Sequence, residues 1–170
     1  QPAYENGARI HTNSWGGGGG YDSYSAGIDN YMWMKDDFQV LFSMGNSGSS
    51  SSTLGTQAEA KNAISVGATL SPYIGAPPYT ADENVTDYSS RGPAEDGRIK
   101  PTVVAPGTDI LSADSSAVDS YTTKSGTSMS TPAVAGAVAL IRQYYENGWY
   151  PGGYAESGLK FDPSSAAIRA

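Results

Sequence analysis

The chain has no cysteine, a single histidine, and few charged side chains: 16% of its 170 residues are Asp, Glu, Lys or Arg. Without cysteine there is no disulfide framework, no thiolate zinc site and no thiol nucleophile. Positive charge is scarce as well, with 10 basic against 17 acidic residues and a net charge of -7. That balance argues against nucleic acid and anionic membrane surfaces as partners, since both call for a basic patch. The acid is dispersed along the chain and reads as a solvated surface. Long apolar runs are absent too. The longest strongly apolar one, residues 133–141, is too short to cross a bilayer. No signal peptide is visible, and the chain opens on Gln1. Its length fits one domain. At the other end, SSAAIRA after Asp162-Pro163 reads as a helix start, so both ends are expected to be cut ends of a larger domain.

Glycine, by contrast, is plentiful, with 21 residues, five of them consecutive at Gly16–Gly20. They follow a strand-like run, ARIHTNSW at residues 8–15. Such a run is either a flexible linker or a loop built for close backbone approach to a ligand. Residues 22–38 place Tyr24, Ile28, Tyr31, Met32 and Met34 at near-helical spacing, and residues 39–44, QVLFSM, form an apolar strand ending at Gly45-Asn46. Strand, helix and strand in this length make a βαβ unit, which implies a parallel sheet with a right-handed crossover. A serine-rich solvent loop at 47–53, a short helical piece at 56–61 and a strand at 63–69 follow. Residues 72–86 read as a surface excursion and contain an Asn84-Val85-Thr86 sequon. Residues 87–90, 102–105, 109–113 and 120–123 are short strand candidates. The strongest helix spans 128–145, with Ala133, Ala135, Gly136, Ala137 and Ala139 as a small face for packing on a sheet. Pro132 is expected in its first turn. The whole is an α/β domain with a mostly parallel sheet.

The stretch KSGTSMSTP, Lys124 to Pro132, sets Ser128 at the start of that helix. Unpaired N–H groups and the helix dipole at such a position can stabilise an oxyanion formed by an attacking hydroxyl. The position equally suits Thr127 or Ser128 as a plain N-cap. Order along the chain then discriminates. An α/β-hydrolase needs its acid and histidine after the serine, yet no histidine follows Ser128, and Ser130 stands where the G-x-S-x-G elbow needs glycine. In the order Asp, His, Ser, His11 precedes Ser128 but has only Glu5 ahead of it as an acid. No complete triad of that order lies within the chain.

Gly126-Thr127-Ser128-Met129-Ser130-Thr131-Pro132, followed by Val134-Ala135-Gly136, resembles the nucleophile signature of subtilisin-like serine peptidases, the subtilase family. Tyr88-Ser89-Ser90-Arg91-Gly92-Pro93 and Val104-Ala105-Pro106-Gly107 resemble the segments upstream of that serine. Ser43-Met44-Gly45-Asn46-Ser47-Gly48 resembles the segment carrying the oxyanion-hole asparagine. Asn13-Ser14-Trp15-Gly16-Gly17 resembles the strand lining the substrate cleft, and residues 64–69 the core strand that follows. The motifs keep the family's order over nearly the whole chain.

The resemblance implies a three-layer subtilisin-like α/β domain, of which residues 1–170 are a partial copy with the N-terminal part missing. It implies Ser128 as the nucleophile that forms an acyl-enzyme, with the Asn46 amide and the Ser128 N–H as oxyanion donors. It implies Ser14, Trp15 and Gly16 on one side, and Ser43, Met44 and Gly45 on the other, as walls of the pocket for the side chain before the scissile bond. An extended substrate pairs with these edges as an added strand. Gly55 resembles the pocket-floor glycine, which implies a deep apolar pocket for large hydrophobic or aromatic side chains. Trp15 fits plain core as well as lining. The family's aspartate segment and its His-Gly-Thr-His-like helix belong upstream of Gln1, and His11 falls where the family does not place its base. The implied partners are a polypeptide substrate and that N-terminal segment. No cofactor is implied. Calcium is common in the family, but no acidic cluster here has ligand spacing, and Asp82, Glu83 and Asp87 read as loop solvation. IHTNSWG resembles a subgroup of long extracellular bacterial subtilases, which implies secretion. Two functions remain: a serine endopeptidase that is inactive as this chain alone, or a catalytically silent scaffold that binds extended peptides.

Overall fold

Four strands, β1 (Ile10–Asn13), β2 (Gln39–Ser43), β3 (Ile64–Thr69) and β4 (Val103–Pro106), pair in that order and all in parallel. The computed structural model describes residues 2–71 and 85–170, so Asp82, Glu83, Asn84 and nearly all of the expected 72–86 excursion lie outside the described residues. β2 is buried along its whole length because helices cover both faces of the sheet. Its side chains alternate accordingly. Val40 and Phe42 join Met32, Phe38, Ala60 and Ala63 on one face, whereas Leu41 joins Ile64, Val66 and Val138 on the other.

The first face is covered by α2 (Ser23–Met34), which follows the short α1 (Pro2–Glu5), and by a 3-10 turn at Thr56–Glu59. Asp22 starts α2 by accepting hydrogen bonds from the Tyr24 and Ser25 N–H groups, the arrangement of an aspartate N-cap. A hairpin of β5 (Ile110–Ala113) and β6 (Tyr121–Lys124) leads into α3 (Thr127–Glu146), which packs on the other face together with α4 (Ser165–Arg169). The result is the three-layer α/β arrangement with a mostly parallel sheet that the sequence implied.

Two expectations are corrected. Residues 87–90 form a turn and not a strand: the Ser89 N–H donates to Thr86 O at 3.1 Å. The serine hydroxyls there replace ladder bonds, since Ser89 Oγ accepts the Ala68 N–H at 3.1 Å. The small face of α3 is also displaced. Thr131, Val134, Ala135, Val138 and Arg142 turn inward, while Ala133, Gly136, Ala137 and Ala139 are exposed. The helix start sets this face. Thr127, Ser130 and Thr131 are buried, and the helical repeat carries their direction along the chain.

Candidate active site

In open parallel sheets, ligands bind beyond the carboxyl ends of the strands. Here β1 runs out into Ser14-Trp15-Gly16 and β2 into Met44-Gly45-Asn46, and α3 begins between them. Together they border a cavity of about 250 Å³. Every residue nominated from the sequence lines it: Ser14, Trp15, Gly16, Ser43, Met44, Gly45, Asn46, Gly55 and Ser128.

Ser128 is not a helix cap, and neither is Thr127. The N-cap is Gly126, which has no side chain to accept from the first-turn N–H groups, at a φ of 151° that favours glycine. A Cβ on Gly126 would also stand 3.3 Å from Asn46 Nδ2. The Thr127 hydroxyl instead donates to Asn46 Oδ1 at 3.0 Å, and the Ser128 hydroxyl donates to Ser14 O at 3.2 Å. Pro132 lies in the second turn of α3, not the first as expected. Having no N–H, it leaves the Ser128 carbonyl without its helical donor. Ser14 Oγ fills that vacancy, donating to Ser128 O at 2.9 Å. Reciprocal bonds between Ser14 and Ser128 thus fix the end of β1 against the start of α3.

Asn46 is held just as closely. Its Oδ1 accepts from both the Thr127 N–H and the Thr127 hydroxyl, each at 3.0 Å. That double contact orients the amide and leaves Nδ2 as the free donor end. Backbone hydrogen bonds tie down the loop carrying Asn46. The Met44 N–H donates to Val66 O at 3.0 Å, and Met44 O accepts the Gly55 N–H at 3.1 Å. Gly45 O accepts the Ser90 N–H, and Ser90 Oγ accepts the Ser47 N–H, both at 3.0 Å. Ser90 is fully buried and is a positioning residue that the sequence reading did not single out. Its only signal was membership of the Tyr88–Pro93 motif. Thr53 braces the serine loop by accepting the Arg91 N–H at 3.0 Å while donating to Gly48 O at 2.9 Å.

The walls divide by chemistry. Trp15 is 60% exposed and so is not core; its ring stands edge-on to Phe42 at 5.3 Å, and the residue borders both the cleft and a groove on the α2 face. Met44 borders the cleft and is fully buried, packed behind it on Leu54 and Ala58. Hydroxyls and glycine backbone make up much of the rest. A Cβ on Gly55 would meet Gly17 N at 3.2 Å, so Gly55 sits against the opposite wall and lets the two walls close on each other. None of the lining residues carries a carboxylate or an imidazole. His11 is exposed on β1, its Nδ1 accepting from Asn13 Nδ2 at 2.9 Å and its ring 6.1 Å from that of Phe38. It borders a separate groove on the α2 face. Among the described residues no group of acidic or histidine side chains is arranged to hold a metal ion.

Comparisons with known proteins accord with this layout. Residues 1–155 match the family model described as Subtilase family. A Dictyostelium discoideum protein named Serine protease/ABC transporter B family protein tagD is 28% identical across 100% of this chain and 14% of its own length. Pyrolysin of Pyrococcus furiosus is 34% identical across 82% of this chain and 11% of its own length. Among solved structures, sphericase superposes with a TM-score of 0.69 at 28% identity, covering 99% of this chain and 49% of its own. The chain therefore spans about half of that structure and a small part of the two curated relatives. With its motifs in order on a parallel sheet and the family model matched along most of its length, the chain belongs to the subtilase family.

Proposed function

We propose that this chain carries the nucleophile, the oxyanion donors and both walls of the pocket for the side chain before the scissile bond of a subtilisin-type serine endopeptidase. Its acid and base come from a segment N-terminal to residue 1. The observation that carries the reading is the Asn46 amide: Thr127 occupies Oδ1 twice, so Nδ2 is left to donate in the cleft that also holds Ser128. Ser128 Oγ attacks the scissile carbonyl carbon and gives its proton to the incoming base. The base passes that proton to the departing amine, leaving an acyl-enzyme. The tetrahedral oxygen takes hydrogen bonds from Asn46 Nδ2 and from the Ser128 N–H, a first-turn group with no helical acceptor. The substrate backbone pairs along Ser14–Gly16, and its preceding side chain enters between that wall and Ser43–Gly45. Trp15 and Met44 favour a large apolar side chain there. The chemistry calls for no cofactor, its substrates are polypeptides, and its setting is extracellular.

A second reading is a silent peptide-binding scaffold. Two observations favour it: the Ser128 hydroxyl is engaged by Ser14 O, and among the described residues no titratable side chain lines the cleft. Mixing the chain with the segment encoded upstream of residue 1 and assaying casein cleavage separates the two. Cleavage that disappears with Ser128→Ala supports the peptidase. No cleavage by a mixture shown to have assembled supports the scaffold.

A further inference from the structure

Five consecutive glycines are an odd material for a cleft wall, because no side chain holds their backbone and each is conformationally free. Gly18 and Gly20 take positive φ values of 74° and 78°. Yet the run is tied along one side by the 3-10 turn at Thr56–Glu59. Gln57 Oε1 accepts the Gly17 N–H at 3.2 Å, and the Thr56 N–H donates to Gly17 O at 3.1 Å. A Cβ on Gly16 would stand 3.0 Å from Gln57 Oε1, so wall and turn lie in direct contact. The turn is itself anchored. Buried Ser25 donates from Oγ to Thr56 O at 2.6 Å. Buried Glu59 accepts the Glu95 N–H at 3.1 Å, and Glu95 accepts the Tyr21 N–H at 2.8 Å, just where the glycines end.

We propose that Gln57 is a positioning residue for the peptide-binding edge. Its amide oxygen holds the Gly17 N–H and so keeps Gly16 in the extended register with which a substrate strand pairs. The proposal rests on reading the cleft as a peptide site. Gln57 touches no reacting atom and acts through Gly17 alone. With that acceptor removed, Gly17 keeps only the Thr56 N–H on its carbonyl, its amide side loosens, and each bound peptide has to order that part of the wall again. The cost therefore falls on affinity for extended polypeptides.

Gln57→Met matches the side chain in length but cannot accept strongly, whereas Gln57→Glu keeps an acceptor at pH 7. Two measurements on the 170-residue chain decide the matter: Gly17 amide exchange by NMR, and the affinity of acetyl-Ala-Ala-Ala-Phe-amide by calorimetry. Gln57→Met is expected to speed Gly17 exchange about tenfold and to weaken peptide affinity about five- to tenfold, with Gln57→Glu restoring both. Unchanged Gly17 exchange in Gln57→Met overturns the clamp. Faster exchange with unchanged peptide affinity overturns the positioning role, as does a wild-type chain that binds no such peptide. Ser128-dependent cleavage by the assembled protein judges the catalytic reading separately. A silent assembly that still shows both Gln57 effects leaves the clamp standing and removes only the peptidase.

Discussion

Asn46 uses one amide in two directions: Oδ1 accepts from Thr127, and Nδ2 is the donor that the proposed chemistry needs. Asn46→Asp keeps the acceptor and removes the donor. In the assembled enzyme it should leave KM nearly unchanged and lower kcat about 10²–10³-fold, the loss seen when one oxyanion donor is removed from a subtilisin. Steady-state kinetics checks this, and a kcat within about threefold of wild type contradicts it. Ser14 contributes differently. Its hydroxyl supplies the donor that Pro132 cannot give to the Ser128 carbonyl. Ser14→Ala removes that donor at a solvent-exposed site where water can take its place, and should cost about 0.5–1 kcal/mol in urea unfolding. No measurable change would remove Ser14 from the account. The donor role of Asn46 was implied by the family resemblance, but its contact with Thr127 and the bond from Ser14 to Ser128 were not legible in the sequence. Asn46 and Thr127 lie 81 residues apart in the chain, and only the fold brings them into contact.

At the scale of elements, β2, β3 and α2 were legible because hydrophobic runs and helical spacing survive in the finished fold. What failed was orientation and the reading of hydroxyl-rich segments. The alanines of α3 suggested a packing face, but buried Thr127, Ser130 and Thr131 set it elsewhere. Ser89 and Ser90 looked like strand residues, yet their hydroxyls bond backbone that a ladder would otherwise pair. The approach to β4 carries a further consequence. Lys100 is buried beside the 3-10 turn and donates from Nζ to Ala60 O at 2.9 Å. Burial, followed by the nearby Arg98 charge, lowers its pKa to about 8. Below that pH the ammonium is charged in both the folded and unfolded chain. Between about 8 and 10.5 the folded chain has lost a proton that the unfolded chain still holds, so stability rises with pH. Relative to Lys100→Met, the wild type should gain about 2 kcal/mol in urea unfolding across that window. A flat or falling difference contradicts the burial argument.

For the whole molecule, the parallel sheet order puts the ends of β1 and β2 side by side, and α3 delivers Ser128 to the same edge. The motifs announced that convergence in advance, because Asn13–Gly17 and Ser43–Gly48 mark the carboxyl ends of β1 and β2 and Gly126–Pro132 marks the start of the long helix. The glycine run was not resolvable from composition. Its choice between linker and wall depends on bonds from Gln57 and Thr56 that no local pattern reveals. The histidine count was legible, and the fold sharpens it: His11 borders a groove on the α2 face, while among the described residues no acid or base lines the cleft. The central claim is therefore that Ser128 is a nucleophile whose base lies outside this chain. Labelling by a fluorophosphonate probe, followed by peptide mapping, tests it most directly. The account predicts negligible labelling of the chain alone and rapid labelling at Ser128 once the segment encoded upstream of residue 1 is bound. Fast stoichiometric labelling of Ser128 in the isolated chain, or none in the bound assembly, would contradict it.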